Sequence, residues 1–401
     1  MLTSLSLIFL VGLSLAAICE KIRLPRIVGM IVGGILLGPY VLDLLDPQIL
    51  GISSELRQMA LVIILIRAGL SLDLADLRRV GRPAVFLSFV PAGFEILGYV
   101  LFAPMLLHVS LVEAAVMGAV LGAVSPAVVV PRMLRLMEER CGTEKSIPQL
   151  IMAGASCDDI FVVVLFTVFI GMAQGGEAKL LDFVGIPVSI LLGVALGAGA
   201  GLVLAFLFER LQARGRQICG TIKTIILLSM SFLFLAFETW AKQWVAVSGL
   251  LAVVGMVCIL KEKSPDCVIS SLSKQFGRLW IAAEVVLFVL VGAAVDIRYT
   301  LHAGAAAVAI IGVALFFRAV GVVLCLIGTP LNRKERLFCV IAYLPKATVQ
   351  AAIGSIPLSM GLSCGGVVLS VAVLGILLTA PLGAWGIDWG AQRLLTKELR
   401  K

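Results

Sequence analysis

The sequence predicts an all-α polytopic membrane protein of about 13 transmembrane helices, arranged as two inverted six-helix repeats with crossed, interrupted helices. Composition is the first reason: the 401 residues are 61% hydrophobic and 14% charged, with a mean hydropathy of +1.11. Soluble domains are about half apolar and about a quarter charged. The second reason is that apolar segments of bilayer-spanning length follow one another along the chain. The third is that several motifs recur seven segments apart.

Each predicted helix is an apolar segment close to the length of about 17–25 residues that crosses a hydrocarbon core. The N-terminal segment has no basic region and no cleavage-site pattern, so it is predicted as the first span and not as a signal peptide. In chain order the predicted spans are 3–19, 27–45, 57–75, 83–107, 112–131, 147–172, 183–208, 222–240, 244–260, 277–296, 303–327, 335–360 and 364–391.

The basic residues predict the orientation. Most of the 32 Lys and Arg residues fall in alternate loops, and such loops stay in the cytoplasm. We therefore expect a multi-pass protein of the plasma membrane, of the bacterial inner-membrane kind, with its N-terminus outside and its C-terminus in the cytoplasm. The net charge of +8 reflects this topology and not nucleic-acid binding, because no basic patch is interleaved with base-stacking aromatic residues.

An internal repeat is indicated by two pairs of strings. LIRAGLSLD at 65–73 corresponds to LVGAAVD at 290–296, and VSPAVVVP at 124–131 corresponds to YLPKATVQ at 343–350. The members of each pair lie seven spans apart, and an odd offset inverts the second copy. Inverted repeats with interrupted helices are typical of secondary transporters, whose binding sites lie where the interruptions meet at the midplane.

Proline residues predict where these helices break. Pro126 and Pro131 in one span, and Pro345 in its counterpart, each remove a backbone donor and clash with the preceding turn. Unwound backbone at this depth is tolerated only where it is buried in protein or lines a water-filled cavity. The freed carbonyls and half-helix ends are expected to bind a cation or set a local field, and Lys346 and Thr348 lie at the second break as gate residues.

Two adjacent acids, Asp158 and Asp159, lie in the middle of the apolar span 147–172. Ionisable residues inside a membrane are functional candidates, and side chains of adjacent helical residues point about 100° apart. We expect the pair to bind a proton or a hard cation in competition, with oxygen ligands from Ser125, Ser156 and a freed carbonyl near Val129. The alternative is a structural pair satisfied by hydrogen bonds between helices.

Glu95 and Arg318 occupy matching spans of the two repeats near mid-depth, which predicts a buried ion pair. Asp158 is the alternative partner of Arg318. The sequence has no HExxH motif and no His-rich cluster, so neither enzymatic activity nor a structural metal is predicted, and no cofactor is expected apart from transported ions.

The strings VLGAVSPAVVVP (120–131), the Asp158–Asp159 pair, LIRAGLSLD (65–73) and LPKATVQAAIGS (344–355) resemble those of the NHA-type sodium/proton antiporters, within the monovalent cation:proton antiporter superfamily. The resemblance implies Na⁺(Li⁺)/H⁺ exchange by an elevator-type movement in a homodimer embedded in membrane lipid. It makes Asp159 the main cation and proton site, with Asp158 assisting. It also implies the buried Glu95–Arg318 pair and a lysine, here Lys346, at the crossed break.

The same resemblance divides the chain by function. It implies dimerisation-domain helices at 1–82 and 222–302, core ion-transport helices at 83–172 and 303–401, and a linker helix within 173–221. Ala294 stands where relatives of this kind often carry an acid that faces the lysine, so the partner of Lys346 is left open. The remaining alternatives keep the fold: K⁺/H⁺ exchange, Na⁺-coupled symport of an organic anion, or a sensor that does not transport.

Overall fold

The computed structural model describes residues 1–22, 24–71, 81–174, 180–213, 219–241, 244 and 247–396, and each regular element within these ranges is an α-helix. In chain order the helices are α1 Leu2–Lys21, α2 Arg26–Leu37, α3 Pro47–Gly51, α4 Ser53–Ser71, α5 Arg82–Leu87, α6 Val90–Leu107, α7 Leu111–Leu121, α8 Pro126–Glu138, α9 Ile147–Gln174, α10 Leu180–Ala213, α11 Gly220–Ala241, α12 Gly249–Lys263, α13 Asp266–Ala293, α14 Ile297–Cys325, α15 Arg333–Ala342, α16 Thr348–Gly354, α17 Ile356–Ser359 and α18 Gly365–Leu394.

The predicted all-helical membrane fold is confirmed, but the count of thirteen spans is not. Within the described ranges, nine helical segments are long and apolar enough to cross a membrane. Two of these segments join neighbouring helices, Arg82–Leu107 from α5 and α6 and Leu111–Glu138 from α7 and α8. The apolar α2, Arg26–Leu37, is shorter than a full span.

The chain forms two compact units, each of which draws on separate stretches of sequence. One unit comprises Met1–Arg57, Asp73–Val162 and Val285–Lys401, and the other comprises Gln58–Leu72 and Val163–Glu284. The division into dimerisation, core and linker helices is a functional one and remains a prediction.

In the first unit, corresponding helices of the two predicted repeats pack against each other. α6 and α14, which occupy the fourth and eleventh predicted spans, form the largest helix pair of this unit, and α6 also packs against α7. α18 lies against α15, α16 and α17, and it contacts α7 and α8. Both interrupted helices are thereby held between continuous ones, which is how non-helical backbone is kept away from lipid.

Two helices of the first unit are interrupted, and their breaks meet. The first break, 122–125, separates α7 from α8, and the second, 343–347, separates α15 from α16. Pro126 is the first residue of α8, a position that needs no N–H donor, and Ser125 is its N-cap. The Ser125 N–H donates to the Pro345 carbonyl at 2.8 Å, so backbone released at one break satisfies backbone at the other. This is the crossed, interrupted arrangement that the sequence predicts.

Two details of the predicted first break are wrong. Pro131 lies inside the continuous α8 and does not interrupt it. Val129 also lies within α8 and not at the break, and its N–H donates to the Ser125 carbonyl at 3.1 Å. The break itself exposes the carbonyls of Gly122 and Ala123, just after α7 ends, and both accept hydrogen bonds from side chains. A single proline at the N-terminus of a helix therefore accounts for the break, and a second one further along the helix is accommodated.

In the second unit, α10 and α12 pack at close range along a row of glycines. A Cβ added at any of three glycines of α10, spaced four residues apart, would collide with the backbone of residues at matching spacing on or just before α12. Such small-residue rows let helix backbones approach each other in membranes. The three pairs run in the same direction, so the helices are parallel: Gly193 with Ser248, Gly197 with Ala252 and Gly201 with Met256.

Replacing Gly197 with Ala is expected to lower the free energy of unfolding by about 1–3 kcal/mol, the usual effect of overpacking. The added Cβ would lie 2.8 Å from the Ala252 Cα, and a backbone atom cannot move aside. Thermal unfolding of the purified protein in detergent checks this. Gly199→Ala is the matched control, because a Cβ there meets nothing within 4 Å. It is expected to be neutral or slightly stabilising, and equal destabilisation by both variants would contradict the prediction.

Candidate functional site

Five ionisable side chains form a buried cluster in the first unit, at the two helix breaks. They come from four different elements: Glu95 from α6, Asp158 and Asp159 from α9, Arg318 from α14, and Lys346 from the second break. None of them is more than 3% exposed. Charged groups at this depth persist only when they are paired or serve a function, so their contacts decide what the cluster can do.

Arg318 joins both breaks to two of the acids. Its Nη1 lies 2.8 Å from Glu95 Oε2, and its Nη2 lies 2.9 Å from Asp158 Oδ2. The guanidinium also donates to the backbone carbonyls of Tyr343, at 2.5 Å, and of Gly122. Both carbonyls lie beyond the C-terminal end of a half-helix, where a cation is favoured. Arg318 contacts both of the acids that the sequence offered as alternative partners.

Lys346 shares Glu95 with Arg318. Its Nζ lies 2.5 Å from Glu95 Oε2 and donates to the Ala123 carbonyl at 3.1 Å. The Gln350 amide donates to the same carbonyl at 2.7 Å. This contact places the Lys346 ammonium at the C-terminal end of the half-helix α7, where a cation is favoured. The sequence analysis left the acidic partner of Lys346 open, because Ala294 occupies the expected acidic position just after α13. In the structure that partner is Glu95 of α6.

The two adjacent aspartates have different surroundings. Asp158 Oδ2 accepts hydrogen bonds from the Val124 N–H at 2.7 Å and from Arg318. Asp159 forms no ion pair with any described residue, although it is only 3% exposed. Because neighbouring side chains on a helix point about 100° apart, only one of the two can face Arg318. The pair is thus divided into an anchored carboxylate and one without a cation.

Several buried oxygen atoms near the breaks have no hydrogen-bond partner among the described residues. They include one oxygen of each aspartate, Asp158 Oδ1 and Asp159 Oδ1, and the hydroxyls of Ser125 and Thr348. Carboxylate and hydroxyl oxygens are the ligands that hard cations prefer, and unpaired polar atoms in a buried site call for an explanation. The side chain of Ser156, the other predicted hydroxyl ligand, lies outside the described part of the structure.

The charges of the cluster do not balance. With every group in its usual ionised state, the three acids Glu95, Asp158 and Asp159 outnumber the two bases, Arg318 and Lys346. One proton or one monovalent cation makes the cluster neutral, and Asp159 is the acid that neither base contacts. Within the described residues, no group of three or more His, Cys, Asp or Glu side chains is arranged to hold a metal ion.

The sequence analysis missed two polar residues that complete the breaks. Gln350 binds the Ala123 carbonyl and accepts from the Ala347 N–H at 2.8 Å through Oε1. Thr379 of α18 accepts from the Lys346 N–H at 2.9 Å. Gln350 lies within the string 343–350 that defines the second break, so its spacing was a usable signal. Thr379 sits in an apolar helix far along the chain, and no local pattern distinguishes it from a packing residue.

The sequence is similar to known proteins over most of its length. A family model described as "Sodium/hydrogen exchanger, transmembrane" matches residues 5–389. The human protein named sodium/hydrogen exchanger 9B2 is 34% identical over 385 residues, which cover 93% of this chain and 70% of that protein. The human sodium/hydrogen exchanger 9B1 is 30% identical over 365 residues, covering 86% and 67% respectively.

Among solved structures, the sodium proton antiporter MjNhaP1 from Methanocaldococcus jannaschii is similar in fold. It aligns over 97% of both chains with a TM-score of 0.81 and 20% sequence identity. The structural likeness supports the fold, and the sequence matches, which extend over nearly the whole chain, confirm the resemblance seen in the motifs. The chain belongs to the sodium/hydrogen exchanger family.

Proposed function

We propose that this protein is a secondary active antiporter that exchanges cytoplasmic Na⁺ or Li⁺ for an external proton. The observation that carries the proposal is Asp159: a buried carboxylate, beside unpaired oxygen atoms, that neither cation of the cluster contacts. A carboxylate in this position can hold a proton or a hard cation but not both, so the two compete for one site. The relatives are named sodium/hydrogen exchangers, which supports exchange of these two ions.

The net charge of the cluster couples the transport of Na⁺ to the transport of the proton. When Asp159 carries either a proton or Na⁺, the cluster is neutral, and when the site is empty it carries one negative charge. Moving an uncompensated charge through hydrocarbon is costly, so the core crosses only when loaded. In each cycle, cytoplasmic Na⁺ displaces the proton, the loaded core exposes Na⁺ outside, and an external proton takes its place. The core returns in the protonated form.

The remaining parts of the proposal follow from the resemblance and the topology. The core helices at 83–172 and 303–401 move in an elevator-type step against dimerisation helices, in a homodimer in the plasma membrane. Asp158 is paired with Arg318, which cannot act as a proton carrier, and we infer that Asp158 assists Asp159 without carrying a second proton. The exchange is therefore electroneutral, one proton for one cation.

The test uses purified protein in liposomes that contain an acidic lumen and a pH-sensitive dye. Added Na⁺ or Li⁺ is expected to dissipate the pH gradient, and added K⁺ is not. The rate is expected to be the same with the membrane potential clamped at zero and at a negative value. An equal response to K⁺ would make the protein a K⁺/H⁺ exchanger, a dependence on potential would contradict electroneutrality, and no response to any cation would refute antiport.

A further inference from the structure

Tyr343 is a buried polar residue at the second break that the exchange cycle above does not use. Its side chain is 0% exposed. Its carbonyl accepts a hydrogen bond from Arg318 Nε at 2.5 Å, and its ring lies beneath the same guanidinium, with the Arg318 Cζ 5.7 Å from the ring centroid. The residue that anchors Asp158 therefore also fixes the backbone and the ring of Tyr343.

The phenol oxygen of Tyr343 lies against Gly154 of α9. A Cβ added to Gly154 would overlap this oxygen and would approach the Leu87 Cβ to 2.9 Å, so only glycine leaves space for the phenol here. The hydroxyl has no hydrogen-bond partner among the described residues. A buried hydroxyl without a partner is costly, and the large majority of such groups bond to protein or to ordered water.

Gly154 lies one helical turn before Asp158, on the same face of α9. The rise between these two positions is about 6 Å at 1.5 Å per residue, and helical side chains lean back toward the N-terminus, so the Asp158 carboxylate leans toward Gly154. Its Oδ1 atom also lacks a partner among the residues described. Two hydrogen bonds in series through one water molecule span about 5.5 Å, which is close to this helical rise.

We propose that the Tyr343 hydroxyl donates to a water molecule that in turn donates to Asp158 Oδ1, which makes Tyr343 a positioning residue for the cation site. Val124 and Arg318 hold only the other oxygen, Oδ2. With both oxygens held, the Asp158 carboxylate cannot rotate, and its negative charge keeps a fixed position next to Asp159, where the cation binds. This inference rests on the proposed exchange function. It predicts that loss of the Tyr343 hydroxyl weakens cation affinity and does not change the rate at which the loaded core moves across the membrane.

The test compares Tyr343→Phe with the wild type. The concentration of Na⁺ or Li⁺ that gives half-maximal thermal stabilisation is expected to rise about three- to tenfold, the range for one lost water-mediated hydrogen bond to a charged group. In liposomes the KM for Na⁺ is expected to rise by the same factor, with the maximal rate within about twofold of the wild type.

Tyr40→Phe is the control for loss of a phenol hydroxyl. Tyr40 is 51% exposed and lies between α2 and α3, outside the buried cluster. This variant is expected to leave unchanged both the cation concentration for half-maximal thermal stabilisation and the KM for Na⁺. Unchanged values for Tyr343→Phe, equal rises for both variants, or a loss of maximal rate with an unchanged KM would each overturn the proposal.

Thermal stabilisation by Na⁺ or Li⁺ distinguishes a failure of this inference from a failure of the proposed antiport. If Na⁺ stabilises the wild type but drives no proton movement in liposomes, antiport fails, while the shift of the stabilisation midpoint in Tyr343→Phe still decides the role of Tyr343. If neither Na⁺ nor Li⁺ stabilises the wild type at any concentration, both proposals are overturned.

Discussion

Asp159→Asn is expected to reduce Na⁺/H⁺ exchange by about 100-fold or more, because the amide can neither release a proton nor offer a negative charge to Na⁺. The remaining cluster, Glu95 and Asp158 with Arg318 and Lys346, is neutral by itself. The protein is therefore expected to fold normally and to be at least as stable as the wild type, since a buried acid without a cation has been removed.

The measurement is the decay of an imposed pH gradient in liposomes upon addition of Na⁺, together with thermal unfolding of the same preparation. Asp388→Asn is a suitable control, because Asp388 is half-exposed on α18 and pairs with Arg132 at 3.3 Å, outside the buried cluster. It is expected to retain exchange within about twofold, as surface ion pairs contribute little. Exchange by Asp159→Asn at more than half the wild-type rate would show that Asp159 is not the exchange site.

Arg318→Met is expected to cause the largest loss of stability of any single substitution in the cluster, about 3–5 kcal/mol or more. It leaves Asp158 ionised with no cation in contact, and it leaves the Tyr343 and Gly122 carbonyls at both breaks without their donor. Lys346 then remains as the one cation of the cluster for three acids. The expected result is a large fall in the yield of folded protein and in the thermal unfolding temperature.

Two further variants separate charge from geometry. Arg318→Lys keeps the positive charge but cannot reproduce contacts with two acids and two carbonyls, so an intermediate loss is expected. Lys346→Met leaves Glu95 paired with Arg318, so it is expected to destabilise less than Arg318→Met. Size-exclusion profiles and thermal unfolding in detergent rank the stabilities of the three variants. Wild-type stability of Arg318→Met would mean that the observed ion pairs do not hold the two breaks together.

Most of the membrane fold could be predicted because lipid constrains the sequence directly. Each helix that crosses the hydrocarbon core must be apolar over a fixed length, and prolines mark where such a helix breaks. The breaks after Leu121 and after Ala342 were found in this way. The error at Pro131 arose because an isolated sequence does not show whether a proline inside a helix is accommodated by its neighbours.

The buried acids and bases were also visible in the sequence, because any charge in an apolar span is conspicuous. The partners of these charged residues were harder to predict from the sequence. The pairing of Glu95 with Lys346 joins residues 251 positions apart. The contact of Tyr343 with Gly154 depends on how α9 lies against the second break. Neither contact leaves a local pattern, since the intervening helices can be arranged in several ways with the same apolar composition.

The sequence by itself determined that this is a helical membrane protein with two interrupted helices and a carboxylate pair inside an apolar helix, because burial in lipid restricts composition residue by residue. Only the tertiary structure decided which of the two aspartates is anchored. Asp158 and Asp159 are chemically identical neighbours, and the rotation of α9 turns one toward Arg318 and leaves the other without a cation. That choice is made by packing between helices distant in sequence, where a difference of about 100° around a helix axis separates an ion pair from a free carboxylate.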